Sequence, residues 1–111
     1  MTKRYARDAV RIDIDRVNVA ALRVLPSLLA RWLPNGRVQG AEYVALNPRR
    51  MDQHLGSFRV NIRTGRWADF AIRNARGRDV ISLAAYLGGI ERADAAARLA
   101  TMLGIEVRHA R

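Results

Sequence analysis

The chain has 111 residues, half of them hydrophobic, and carries 20 Lys and Arg against 10 Asp and Glu, a net charge of +10. That length supports one domain with a modest core, and so large a hydrophobic share excludes wholesale disorder. Cysteine is absent and the histidines are only His54 and His109, which excludes disulfides and thiolate sites and leaves too few ligands for an ordinary protein zinc site.

Residues 1–16 read as a basic N-terminal arm in which Val10, Ile12 and Ile14 alternate with Arg11, Asp13 and Asp15, either a short strand or a frayed end. The chain starts basic but runs into Asp13, Asp15 and Arg16 instead of an apolar stretch, so no signal peptide is expected. No apolar run approaches the ~20 residues of a membrane span. A soluble cytoplasmic protein is therefore expected, with no membrane partner. Asp15 or Asn18 is expected to cap a helix through Val19, Leu22 and Leu25. Pro26 fits a kink or the first turn of a new helix. That helix has an apolar face of Leu28, Leu29, Trp32 and Leu33, with Trp32 read as a core residue, and Pro34-Asn35-Gly36 ends it.

Glu42 to Leu46 has strand alternation, with Tyr43 and Ala45 opposite Val44 and Leu46. Asn47-Pro48 stops it, and Arg49 to Leu55 reads as a polar loop with His54 at its surface. Ser57 to Ile72 then reads as a tight hairpin. A two-residue Thr64-Gly65 turn sets Val60 against Asp69, a poor match. A three-residue loop, Arg63-Thr64-Gly65, places glycine at a left-handed position. It pairs Ile62 with Arg66, Val60 with Ala68 and Phe58 with Phe70 on one face, and Asn61 with Trp67 and Arg59 with Asp69 on the other. This register is expected, because it matches an aromatic pair and an opposite-charge pair. It leaves two readings of Trp67. The ring stands outward beside Arg59 and Asn61, near Arg73, where an unpaired base can stack at ~1–3 kcal/mol; or the N-terminal helices or a neighbouring strand cover it.

Beyond the hairpin, Asn74 to Gly77 is a basic loop, and Asp79 is expected to cap a helix from Val80 to Leu87. Ile81, Ala84, Ala85 and Leu87 supply its inner side, and Gly88-Gly89 stops it. Ile90 to Leu103 reads as a second helix with Ala96, Leu99, Ala100 and Leu103 inward and Gly104 as its cap. Ile105 and Val107 add a last strand or dock on the core, and residues 108–111 read as a disordered tail. The fold expected for residues 17–107 is α+β: a small antiparallel sheet flanked by N-terminal helices and a C-terminal helix pair.

Charge is concentrated where the hairpin lies. Residues 49–78 hold eight arginines against Asp52 and Asp69, whereas residues 79–111 hold four arginines against four carboxylates. A concentrated excess makes a field that attracts polyanions, and arginine forks suit phosphates. The candidate nucleic-acid site places Arg59, Arg63, Arg66 and Arg73 on phosphates and Trp67 and Asn61 near bases. Arg49, Arg50, Arg76 and Arg78 widen the basic track.

The order of these elements resembles the N-terminal zinc-binding domain of bacterial DnaG-type primases over roughly residues 26–105. The shared features are the strand Glu42-Tyr43-Val44-Ala45-Leu46, the knuckle Asn47-Pro48-Arg49-Arg50 and the hairpin start Gly56-Ser57-Phe58. Arg78-Asp79-Val80-Ile81-Ser82 at a helix start and the ending Leu99-Ala100…Gly104-Ile105 complete the series. The family's first cysteine falls at Asn47, its histidine at Arg50, and its Cys-x-x-Cys turn at Trp67-Ala68-Asp69-Phe70-Ala71. The resemblance therefore implies a relative without zinc or any other cofactor, of the kind found in primase-like proteins of phages and plasmids. In such a relative the binding energy of the metal, which is also folding energy, must be replaced by packing, with Trp67, Phe70, Phe58 and the helical leucines the expected substitutes. It also implies recognition of single-stranded template in replication, with polymerisation in another domain.

The function expected is nucleic-acid binding, single-stranded DNA foremost, without catalysis: the chain has no glycine-rich phosphate loop, no His-Glu pair at metal spacing and no cluster of carboxylates. One alternative is an accessory module that docks on a helicase, primase or polymerase through the hairpin edge or the alanine-rich helices. Another is a helix-turn-helix regulator made of the last two helices, although the second of these is close to neutral in charge.

Overall fold

The computed structural model describes residues 10–49, 56–106 and 108–109. The first nine residues, Arg50 to Leu55 with His54 among them, Val107 and the last two residues lie outside the described residues. The architecture is α+β: among the described residues four helices flank a five-stranded antiparallel sheet. No helix among the described residues is long and apolar enough to cross a membrane.

The first helix, α1 (Ile14–Arg23), begins inside the stretch expected as an arm. Its cap is Asp13, whose carboxylate accepts from the Arg16 N–H at 3.1 Å. Neither Asp15 nor Asn18 caps it: Asp15 lies in the first turn, and Asn18 is used in a tertiary contact described below. The buried face is Val17 and Ala21, and Val19 is exposed, so the helix is rotated from the expected Val19–Leu22 face. Helix α2 (Leu25–Trp32) follows at once, with Pro26 in its first turn, where its missing N–H has no partner to lose. It buries Leu25, Leu28 and Leu29, Leu33 follows into the core, and Trp32 is only partly buried.

The sheet strands β2 (Arg37–Gln39), β3 (Glu42–Ala45), β4 (Phe58–Asn61), β5 (Trp67–Asp69) and β6 (Arg76–Gly77) lie side by side in chain order. Helix α3 (Val80–Gly88) and helix α4 (Arg92–Met102) pack on each other and on α1. Asp79 caps α3 as expected, in a capping box with Ser82, and Gly89 ends it in the left-handed conformation. Two short strands, β1 (Val10–Arg11) and β7 (Arg108–His109), pair antiparallel, so Arg108 and His109 belong to a strand and not to a tail. The core joins Val17, Leu25, Leu29, Phe58, Val60, Trp67, Ile81, Leu83 and Leu99 between the inner sheet face and the helices, and Ile105 docks on it.

The hairpin register differs from the expected one by a single residue. Phe58 stands opposite Asp69, Arg59 opposite Ala68 and Val60 opposite Trp67, and the Asn61 N–H donates to the Arg66 carbonyl at 2.7 Å. The loop is thus four residues, Ile62 to Gly65, with Gly65 at φ +82°. Because side chains alternate with period two, that shift exchanges the faces of β5. Trp67 is buried, at 5% exposure, and Phe70 is 74% exposed. The outward reading of Trp67 and the Phe58–Phe70 pair are therefore both overturned.

Two side-chain groups account for the shift. Asn61 Oδ1 accepts from the N–H groups of Arg63 and Thr64 at 2.9 and 3.0 Å, which folds Ile62 into the loop. Trp67, the larger ring, gains the core, where its indole N–H donates to Ser82 Oγ at 3.0 Å. A buried indole needs such a partner, and the phenyl ring of Phe70 does not.

Candidate nucleic-acid interface

Residues opposite one another in an antiparallel sheet share a face, so the register assigns every outward side chain. Across the five strands one row on the outer side reads Arg37, Val44, Arg59, Ala68, Arg76, of which Val44 is fully buried. The next row, toward the hairpin loop, reads Gln39, Glu42, Asn61, with Arg66 opposite Asn61. On the other side Phe70 continues the alternation, its N–H donating to the Ser57 carbonyl at 2.9 Å. A groove of about 650 Å³ lies on this face and is lined by Arg59, Asn61, Arg66, Phe70, Arg76 and Arg78, with Glu42, Ala68, Gly77 and the edge of Trp67.

The structure thus brings Arg59, Asn61, Arg66, Arg76 and Arg78 together. Arg63 is exposed on the hairpin loop, beyond the groove. Arg73 is exposed on the loop from β5 to β6, where it lines a second hollow of about 520 Å³ with Phe70 and Arg76. Arg49 turns to α3 instead: its Nη1 donates to the Tyr86 carbonyl at 2.7 Å, and the guanidinium lies 5.2 Å from the Tyr86 ring centre. Arg50 lies outside the described residues. Arg59 is held in place, Nε donating to the Gly56 carbonyl at 2.8 Å and Nη1 to Glu42 Oε1 at 3.0 Å. Asn61 is partly committed, its Oδ1 being taken by the loop N–H groups.

Sequence reasoning missed Phe70 as the exposed ring, Glu42 as the carboxylate in the groove, and Arg37. Strand alternation would have found Phe70 had the loop been counted as four residues. Arg37 had a weaker signal, its place just after the Pro34-Asn35-Gly36 turn.

Beneath the face, the buried side is tied together by polar contacts. Trp67, Phe58 and Tyr86 form an aromatic cluster, with the Trp67 and Tyr86 ring centres 4.8 Å apart. Gly77 lies so close to the Trp67 indole and Ser82 Oγ that a β-carbon there would collide with both. Asp79 is the junction of three helices. Its carboxylate accepts from the Ser82 N–H at 2.8 Å, from Asn18 Nδ2 at 3.1 Å, and from Arg92 in a two-pronged pair at 2.7 and 3.0 Å. Asn18 Oδ1 in turn accepts from the Ile81 N–H. The Arg92 guanidinium foremost, helped by Ser82, holds the Asp79 carboxyl down at about 2 against the burial that pushes it up.

At the turns closing β3 and β5, Asn47 and Asp69 are both buried, and Asn47 Nδ2 donates to Asp69 Oδ2 at 2.8 Å. The same amide nitrogen lies 2.8 Å from the Tyr86 hydroxyl, and Asp69 Oδ1 accepts from the Ala71 N–H. A neutral amide and one carboxylate do not fit zinc, which takes thiolate and imidazole donors in structural sites. Here the two turns are joined by hydrogen bonds. Comparison of the sequence with protein-family models and with curated proteins finds no match.

Proposed function

We propose that the chain is a nucleic-acid-binding module, without catalysis of its own, that holds single-stranded DNA on the outward face of its sheet. The observation that carries this reading is Phe70, a ring 74% exposed among Arg59, Arg66, Arg76 and Arg78. Unpaired bases stack on such rings while cations hold the backbone, and every base has a face to stack. Phe70 takes the part first expected of Trp67. The resemblance to primase ribbons adds the setting: template or primer-template binding in the cytoplasm, in replication of a phage- or plasmid-type element.

A second reading, docking on a helicase, primase or polymerase, has its own support. An apolar groove of about 420 Å³ opens between Trp32, Pro48, Leu87, Ile90 and Met102. The helix-turn-helix reading gains nothing, since Arg92 at the start of α4 is bound to Asp79.

Fluorescence anisotropy with labelled single-stranded and duplex oligonucleotides at two salt concentrations tests the proposal. Preference for the single strand with steep salt dependence supports it. High-micromolar binding of both forms, unchanged by salt, contradicts it and moves the search to protein partners.

A further inference from the structure

The outward face is banded, and the bands give a bound strand a direction. One row carries arginine on every second strand: Arg37, Val44, Arg59, Ala68, Arg76, with Val44 fully buried between the first two arginines. Strands lie ~4.8 Å apart, so the three guanidinium stems rise about 10 Å from one another and span about 20 Å. The row on the hairpin-loop side contains Glu42, whose carboxylate is paired with Arg59 Nη1 at 3.0 Å. On the opposite side stands Phe70, about 7 Å along β5 from Ala68 at two residues of strand rise.

We infer that single-stranded DNA crosses the sheet at right angles to its strands, its backbone following Arg37, Arg59 and Arg76 and its bases turned toward Phe70. This inference rests on the proposed function and extends it, because it adds Arg37, on the edge strand β2, as a phosphate contact. It also fixes a site size. About 20 Å of stacked strand at ~3.4 Å per nucleotide is on the order of six nucleotides. The competing path runs lengthwise along the β4–β5 hairpin, from Arg73 past Phe70 to Arg63. That path leaves Arg37 unused.

The test is anisotropy with thymidine oligonucleotides of three to fifteen residues on the wild type and on Arg37→Ala, Arg76→Ala, Arg63→Ala and Arg98→Ala. Affinity is expected to climb steeply to about six nucleotides and only slowly beyond. Arg37→Ala and Arg76→Ala should each weaken binding several-fold and reduce the slope of log K against log salt by about 0.7. Arg98→Ala, on α4, should change neither. A silent Arg37→Ala beside a large loss in Arg63→Ala would place the strand lengthwise and overturn the inference while leaving the proposed function standing. A wild type that binds no oligonucleotide would overturn both.

Discussion

The two faces of the β4–β5 hairpin are made from alternate residues of the same two short stretches, 58–61 and 67–70, yet they differ in every respect that matters. On the inner face Phe58, Val60, Trp67 and Asp69 are buried, and the polar atoms of Trp67 and Asp69 meet Ser82 and Asn47. On the outer face Arg59, Asn61, Ala68 and Phe70 are exposed or half-exposed, and Glu42 is the one carboxylate among the described residues that line the groove. The inner face is closed by mutual satisfaction; the outer one presents charge and a bare ring. A single residue of register decides which aromatic goes where, and so the faces should respond to substitution in opposite ways.

Removing Trp67 should have the largest effect on the inner face. Trp67→Ala is expected to lose about 3–5 kcal/mol of stability, as for any large buried ring truncated to a methyl, read from urea unfolding. Gly77→Ala, which drives a methyl group into the indole and Ser82, should lose about 1–3 kcal/mol as an overpacking change. Asn47→Ala removes a donor from the buried Asp69 carboxylate and should lose a similar amount, about 1–3 kcal/mol. On the outer face Phe70→Ala should leave stability within about 0.5 kcal/mol and weaken single-strand binding by about 1–3 kcal/mol, the loss of one stacked base.

The smallest effect belongs to Asp79. Its folded carboxyl titrates at about 2, below the ordinary 3.8, so the unfolded chain binds the proton more readily. The stability from this site is therefore complete above about pH 4 and is lost as pH falls through about 2. Because the Arg92 side of the pair is half exposed, about 1 kcal/mol is expected after screening. Asp79→Asn should remove that part of the acid dependence, measured as urea midpoints between pH 2 and pH 6.

How far the sequence reaches differs between elements for physical reasons. Helix boundaries marked by local chemistry were legible: Pro26 at the start of α2, Asp79 with Ser82 at the start of α3, Gly89 at its end. Strands β3, β4 and β5 were legible from alternation. Strand β2 was not, because Arg37, Val38 and Gln39 are all exposed and show no in–out pattern. Strand β6 has two residues and nothing to alternate. The cap of α1 was misplaced because Asn18, a good cap residue by type, is spent on Asp79 and Ile81 across the core.

The candidate site was legible in composition and wrong in its aromatic. Gly65 accepts a left-handed conformation at the end of a three- or a four-residue loop, so glycine could not choose between them. The choice was made by the Asn61 side chain within the loop and by Ser82 waiting for the indole, the second of which is fifteen residues further along the chain.

The most direct measurement compares the two rings as reporters. In Trp32→Phe the only tryptophan is Trp67, and in Trp32→Phe/Phe70→Trp a second stands on the outer face. Trp67 emission is expected to be shielded from acrylamide and unmoved by single-stranded oligonucleotide, while the added tryptophan is quenched by both. Quenching of Trp67 by the oligonucleotide, with no additional response from position 70, would contradict the register and the face built on it.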